Sequence, residues 1–285
     1  MKPAPFRYYR ATTPEEAVAL LGELGDDAKV IAGGQSLVPM MNLRLARPTA
    51  LVDVNRIPGL AYISDTPTAL RVGALARHRQ LEQYPAPLSG LAVLPRAARL
   101  VGHYPIRLRG TIGGSIAHAD PAAEWCLIAV LLDAEIVPLG PRGVRTVPAS
   151  ELFVGPFQTV LAPDEMLVEV RFPRRYDHTA VDEVSRRHGD FAIVAAAVAY
   201  DRGASKQITS ARVALGGVAG TAVRVKDAER LLIGERPHPG LFAEAGRVAA
   251  SAIDPPADAH GDVDFRRDLA RVLVQRTLTA AETLR

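Results

Sequence analysis

The sequence predicts an α+β protein in two parts, and three observations carry that prediction. Up to about residue 175 strand and helix signals intermix. Beyond it, three long strand candidates stand together before three helix candidates, the order expected when helices cover one face of an antiparallel sheet. Between the parts, residues 173–179 string together Pro, Arg, Arg, Tyr, Asp and His and read as a linker.

The first helix is announced by Thr13 as cap, Pro14 at the first helical position and Glu16 completing a capping box. Ala17, Leu20, Leu21 and Leu24 repeat at helical spacing, and Gly25 suits the C-terminal turn. A short strand over 29–32 runs into Gly33-Gly34, a helix is expected over 37–45, and a strand over 50–54. This βαβ-like opening spans about the first 57 residues. Residues 60–64 and 70–74 look like a hairpin around Asp65, Thr66 and Pro67. Helical patterns follow over 77–83 and 88–100, then a glycine cluster over 110–115, a helix over about 121–132, and strands over 134–139 and 166–172. In the second part, strands are expected over 181–187, 192–201 and 207–216, and helices over 223–232, 241–252 and 263–284.

Composition excludes several function classes. A formal charge of +3 is small for 285 residues, and no run of basic residues forms a nucleic-acid stripe. The longest apolar run, residues 191–200, is about half of a bilayer crossing. The N-terminus lacks the apolar stretch of a secretory signal, so cytoplasmic residence is expected. A single cysteine, Cys126, excludes an internal disulfide and any iron–sulfur cluster built by this chain alone.

Two glycine segments carry the chemistry. Ala32, Gly33, Gly34, Gln35 and Ser36 stand where a strand ends and a helix begins. Paired glycines leave no side chain between backbone amides and an anion, and Ser36 adds a hydroxyl donor. One such segment is equally well a tight strand-to-helix turn. Thr111, Ile112, Gly113, Gly114 and Ser115 repeat the chemistry about 80 residues later, and two matched segments suit a diphosphate clamped from two directions. With neither a G-x-G-x-x-G nor a G-x-x-x-x-G-K-[ST] pattern, Rossmann and P-loop sites are disfavoured. His118, Asp120 and Glu124 match no standard metal-ligand spacing; Asp120 before Pro121 reads as a helix cap, and no metal is expected. Cys126, in an apolar helical stretch, reads as a buried inert thiol. No nucleophile–base arrangement is visible, so no catalytic residue is assigned.

The stretches from Ala32 through Leu37 to Arg44, Leu51-Val-Asp-Val-Asn55 and Arg109 to Pro121 resemble the FAD-binding medium subunits of the xanthine dehydrogenase family, which includes aerobic carbon monoxide dehydrogenases and bacterial N-heterocycle hydroxylases. The likeness extends to residues 161–173 and 187–193. It implies a two-subdomain FAD-binding fold of the PCMH/VAO type over 1–175 (subdomains about 1–57 and 58–175). A C-terminal flavoprotein domain over 176–285 follows, a three-stranded antiparallel sheet with helices. It also implies that both glycine segments hold the FAD diphosphate. Val101 and Gly102 would lie near the flavin ring, Asp120 and Glu124 on polar cofactor groups, and Leu161, Asp190 and Phe191 would add contacts. Carbon monoxide dehydrogenases of the family typically carry His where Gln35 stands, whereas Gln is similar to some heterocycle hydroxylases.

The implied function is electron transfer. Partners would be a large molybdenum-cofactor subunit and a small subunit with [2Fe-2S] clusters, assembled as a dimer of heterotrimers, with NAD, a quinone or oxygen as acceptor. Two other readings are a free-standing FAD-dependent NADH reductase or diaphorase, and a flavin-free scaffold; the intact glycine pairs oppose the latter.

Overall fold

The computed structural model describes residues 2–85, 90–173 and 175–283. The opening βαβ pattern folds into a three-stranded parallel sheet with Ala50–Asp53 between Arg7–Arg10 and Ala28–Ile31. The helix Pro14–Leu24 crosses between the outer strands, burying Ala17, Val18 and Leu21 against Ala28, Ala50 and Val52. Thr13 caps it, its hydroxyl accepting from the Glu16 amide at 3.1 Å. The return arm of the expected capping box goes one residue further back: the Glu16 carboxylate accepts from the Thr12 amide and hydroxyl, both at 2.7 Å. The second helix is shorter than expected, Leu37–Asn42, because Arg44 takes a left-handed conformation and the Leu45 amide turns back to the Met40 carbonyl.

The next part is an antiparallel sheet in the order Ile63–Asp65, Leu70–Gly73, Met166–Phe172, Glu135–Gly140, Gly143–Val144, with Val147–Pro148 also on Glu135–Gly140. The expected hairpin is its edge, closed where the Thr66 hydroxyl donates to the Ala69 carbonyl at 2.6 Å. Of the helix expected over 88–100, Val93–Leu100 is present, while Leu88 lies outside the described residues. The glycine cluster is more helical than expected: Tyr104–Arg109 and Ile112–His118 are both helices. The helix expected from Pro121 begins later, at Glu124, because Asp120 accepts from the Ala122 amide at 2.9 Å and closes a side-chain turn first. All eight residues of Glu124–Leu131 are buried, as a helix apolar on every side after its first residue requires between two layers.

The second of those layers is the C-terminal sheet. Its three long strands, His178–Ser185, Ala192–Arg202 and Ile208–Gly216, are antiparallel as expected, and Val223–Arg224 adds a two-residue edge. Those two residues come from the start of an expected helix, which forms from Lys226 to Leu232. Ala195, Ala197 and Ala199 face the core that contains Trp125 and Leu127, whereas Val194, Val198 and Tyr200 face the helices Pro239–Ser251 and Val263–Thr283. The sheet is therefore covered on both sides, by its own helices and by Glu124–Leu131. The segment read as a linker is packed: Tyr176, His178 and Thr179 are buried, and Arg96 donates to the Thr179 carbonyl at 2.7 Å.

Alanines at the seam set how closely Glu124–Leu131 approaches the sheet. Ala197→Leu is expected to overpack it and cost about 1–3 kcal/mol, read as a lower denaturant midpoint with an unchanged slope. An unchanged midpoint would mean that the seam is loose.

Candidate cofactor site

The two glycine segments meet. A methyl group added at Gly33 would collide with the Arg109 carbonyl oxygen and stand 2.7 Å from the Gly110 Cα, so the first segment rests on the backbone that leads into the second. Asn55 and Arg77 lock this contact. The Asn55 side-chain amide donates to the Ala32 carbonyl and the Asp53 carboxylate, both at 2.7 Å. Arg77 donates through Nη2 to the Asn55 side-chain oxygen at 2.8 Å and through Nη1 to the Arg109 carbonyl. Asp53 is fixed in turn by the Tyr8 hydroxyl and the Asn55 amide. Sequence reading noted Asn55 only as part of a motif and did not single out Arg77; each reaches a backbone carbonyl distant in sequence, Ala32 for Asn55 and Arg109 for Arg77, which leaves no trace in residue identity.

The segments are not equivalent. The amides of Gly33, Gly34, Gln35 and Ser36 donate to no protein group among the described residues. Gly34 has φ +69°, and the Gln35 side chain holds the turn by donating to the Gly33 carbonyl at 2.9 Å. Ser36 makes no side-chain cap to the helix that follows, so its hydroxyl stays available; Leu37 opens that helix, half-buried. In the second segment the backbone is committed. Ile112 and Gly113 donate to the Ala76 and Ala74 carbonyls at 3.1 and 3.0 Å, Gly114 to the Thr111 hydroxyl at 3.1 Å, and Ser115 to the Thr111 carbonyl at 3.0 Å. Gly113 is there for close packing, since an added methyl would lie 2.6 Å from the Ala74 Cβ. Gly114 is exposed, with nothing but the Thr111 hydroxyl near its missing side chain. The first segment thus supplies donors and the second an open surface.

Below the junction, Gly110 presses on the ring of His78, which accepts from the buried Trp125 Nε1 at 2.9 Å. Burial, with Arg77 and Arg107 adding like charge, lowers the His78 pKa to about 4, so it is neutral at pH 7.

Val101 and Gly102 form a turn held by Arg107, whose Nη1 donates to the carbonyls of Gly102 and Val101 at 2.7 and 3.3 Å while Nε meets Glu82 at 3.0 Å. Against this turn comes a hairpin of the C-terminal sheet: the Gly189 backbone lies on the His103 ring, and the rings of His103 and His188 are 6.0 Å apart. The structure thereby brings Val101 and Gly102 beside the hairpin that carries Asp190 and Phe191, both exposed. Leu161 is half-buried and packs, like Val101, on the core beneath. Its loop is tied to the second glycine helix, since the Phe157 amide donates to the Ala119 carbonyl at 2.9 Å and the His118 ring lies 5.1 Å from that of Phe157.

Asp120 is engaged with Ala122 and is not the cap expected of it; Ala123 stands at that position. Glu124 is buried at the helix start, where burial raises its pKa to about 7, with Asp120 adding repulsion. Cys126 is buried beside the Ser115 carbonyl, and burial pushes its thiol well up. No group of three metal-ligating side chains occurs among the described residues.

Four uncommitted amides in a half-buried turn, beside a face kept free of side chains, fit the diphosphate of a dinucleotide. Comparison with known proteins bears on which one. A family model for the FAD binding domain in molybdopterin dehydrogenase matches residues 4–175, and one for the CO dehydrogenase flavoprotein C-terminal domain matches residues 179–281. The chain is 42% identical over 283 residues to the 6-hydroxypseudooxynicotine dehydrogenase complex subunit alpha of Paenarthrobacter nicotinovorans, covering 99% of this chain and 96% of that one. It is 38% identical to the carbon monoxide dehydrogenase medium chain of Hydrogenophaga pseudoflava, covering 99% and 98% of the two chains. Among solved structures it superposes on quinoline 2-oxidoreductase from Pseudomonas putida 86 with a TM-score of 0.94, at 35% identity and 99% coverage of both chains.

Two glycine variants separate packing from binding. Gly33→Ala drives a methyl into backbone and is expected to cost about 1–3 kcal/mol of stability as well as FAD affinity. Gly114→Ala meets only a hydroxyl, so stability is expected to stay within about 1 kcal/mol while FAD affinity falls on the order of tenfold, read by flavin fluorescence titration. Equal FAD affinity in Gly114→Ala and the parent would remove the second segment from the site.

Proposed function

The chain belongs to the family of FAD-binding subunits of molybdopterin dehydrogenases, and from that premise we propose that it is the electron-transfer subunit of a molybdenum hydroxylase complex. It is an oxidoreductase subunit, and FAD is its cofactor. In this reading electrons arrive from [2Fe-2S] clusters on a small partner subunit and leave to an external acceptor: NAD, a quinone or oxygen. The organic substrate is hydroxylated at the molybdenum cofactor of a large partner subunit, and the assembly is a dimer of heterotrimers in the cytoplasm. No helix among the described residues is long and apolar enough to cross a membrane.

The observation that carries the proposal is the seating of Gly33 on Arg109 and Gly110, which joins a row of free amides to the Gly114 face. The amides of Gly33, Gly34, Gln35 and Ser36 hold the diphosphate. The Thr111–Ser115 segment bounds it, with Ser115 offering a hydroxyl. Val101, Gly102, Leu161, Asp190 and Phe191 enclose the ring end, and Asp120 and Glu124 meet polar groups between. When bound, FAD supplies the exchange between one-electron and two-electron chemistry that a relay needs. The protein's own work in this reading is to bind, orient and shield. We take residues 1–57, 58–175 and 176–285 as the working units, the last closing over the first two.

The test uses the complex purified with its partner subunits. Anaerobic reduction by the organic substrate is expected to bleach the flavin absorbance, while the separated chain hydroxylates nothing. Steady NADH–dye turnover by the separated chain would instead mark a free-standing reductase. A complex that hydroxylates substrate without flavin would make this chain a scaffold.

A further inference from the structure

One buried polar group has no part in the site described so far. Glu183 lies on the strand His178–Ser185, opposite Ala195, which in turn stands opposite Gly216 on the next strand. Gly216 faces the Pro121 carbonyl and the Leu127 side chain, at 3.4 and 3.9 Å from where its own side chain would begin. Glu183 therefore stands on the sheet face turned towards the helix Glu124–Leu131. Its Oε2 is fully buried and has no hydrogen-bond partner. Glu124, at the start of that helix, is 8% exposed and has no ion pair or partner side chain among the described residues. An ionised Glu124 would disfavour the charged form of Glu183 across the seam between the N-terminal part and the C-terminal sheet.

The groups around them offer no neutralising charge. Asp182, on the same strand, points to the opposite face and pairs with Arg276 of the long C-terminal helix at 2.7 Å. Arg96, on the helix Val93–Leu100, is held by the Thr179 carbonyl and pairs with neither carboxyl among the described residues. On the helix side stand Asp120, which adds repulsion, and the buried Cys126 thiol. Burying two carboxyls without a counter-ion is costly unless they hold protons and find polar partners. Burial raises Glu183 to about 8, with the Glu124 and Asp182 charges adding, and Glu124 to about 7. Any ionisation of the pair repels a phosphate, and in its protonated state the pair has little to offer a cation. What suits it is a neutral group that both donates and accepts, which is a hydroxyl.

We propose that Glu183 is a positioning residue for FAD, forming with Glu124 a two-carboxyl site that holds the cofactor's neutral hydroxyl-bearing linker from the C-terminal side. The proposal rests on the FAD reading above. It makes the C-terminal sheet a contributor to the cofactor site and couples cofactor retention to protonation. The sign follows from the acid form being the one that binds. Retention is complete while the carboxyls keep their protons and weakens as pH rises through about 7 to 8.

The test is a fluorescence titration of the deflavinated complex with FAD between pH 6 and 9, for the parent, Glu183→Gln, Glu183→Ala and the double variant Glu124→Gln/Glu183→Gln. The parent Kd is expected to start rising near pH 7, by about tenfold per pH unit, and to steepen towards about a hundredfold per unit above about pH 8, where both carboxyls ionise. Glu183→Gln keeps a neutral donor and is expected to bind within about threefold of the parent at pH 6, with a shallower rise; the double variant is expected to be flat. Glu183→Ala is expected to lose about tenfold at pH 6 with its circular dichroism unchanged. A flat parent profile, or the parent's rise unchanged in the double variant, would overturn the proposal. Absence of FAD binding at every pH in the parent would overturn the cofactor reading itself, and this proposal with it.

Discussion

At Gly33 the backbone of one chain segment lies against the backbone of another 76 residues away in sequence, at a distance that admits no side chain between them. Much of the site is arranged around that contact. It requires glycine, because any methyl there would drive into the Arg109 carbonyl. It requires the Asn55–Arg77 bridge, because two loops touching only through backbone have little else to hold their register. And it sets the separation between free amides on one side and the bare Gly114 surface on the other. Electrostatics then follows from geometry: the free amides of residues 33–36 are directed donors whose positions the fold has already fixed, which is what the proposed diphosphate site asks of them.

A second constraint is the sharing of one sheet between two cores. The strand Ala192–Arg202 buries alternate residues against Glu124–Leu131 and against the C-terminal helices. Gly217 adds a hydrogen bond from its amide to the Pro121 carbonyl at 3.0 Å, and Arg266 reaches from the last long helix to the Ile193 and Gly217 carbonyls at 2.6 and 2.8 Å. The lead-in to the helix carrying Glu124 is thus tied to the sheet carrying Glu183. A hairpin of the same sheet sits on His103 beside Val101 and Gly102. The C-terminal part is therefore anchored to the N-terminal part at two places, at Pro121 and at His103.

Much of this was legible in the sequence, for identifiable reasons. Glycine pairs are conspicuous because few other demands call for them, and the three long C-terminal strands are read from long apolar runs. The run over 191–200 carried a further signal that went unread: nearly continuous apolar character marks a strand buried on both faces, and hence a second layer against the sheet. What stayed hidden has a common cause, dependence on partners distant in sequence. Asn55 and Arg77 act on carbonyls. Asp120 was read as a cap because Pro121 suits a helix start, yet its own side-chain turn takes the next residues first. Adjacent threonines at 12 and 13 made the capping box ambiguous by one residue. Glu183 falls within an expected strand, and nothing in residue identity marks the second layer that buries its carboxylate oxygen.

The account stands most directly on the four amides of residues 33–36 being donors to the cofactor. Hydrogen–deuterium exchange on the complex with and without FAD measures them individually. The account predicts fast exchange without FAD, as expected of half-buried amides with no protein partner, and marked slowing at residues 33–36 when FAD is bound. Unchanged exchange at those amides in a complex that has taken up FAD would contradict it, and would move the diphosphate to another part of the molecule.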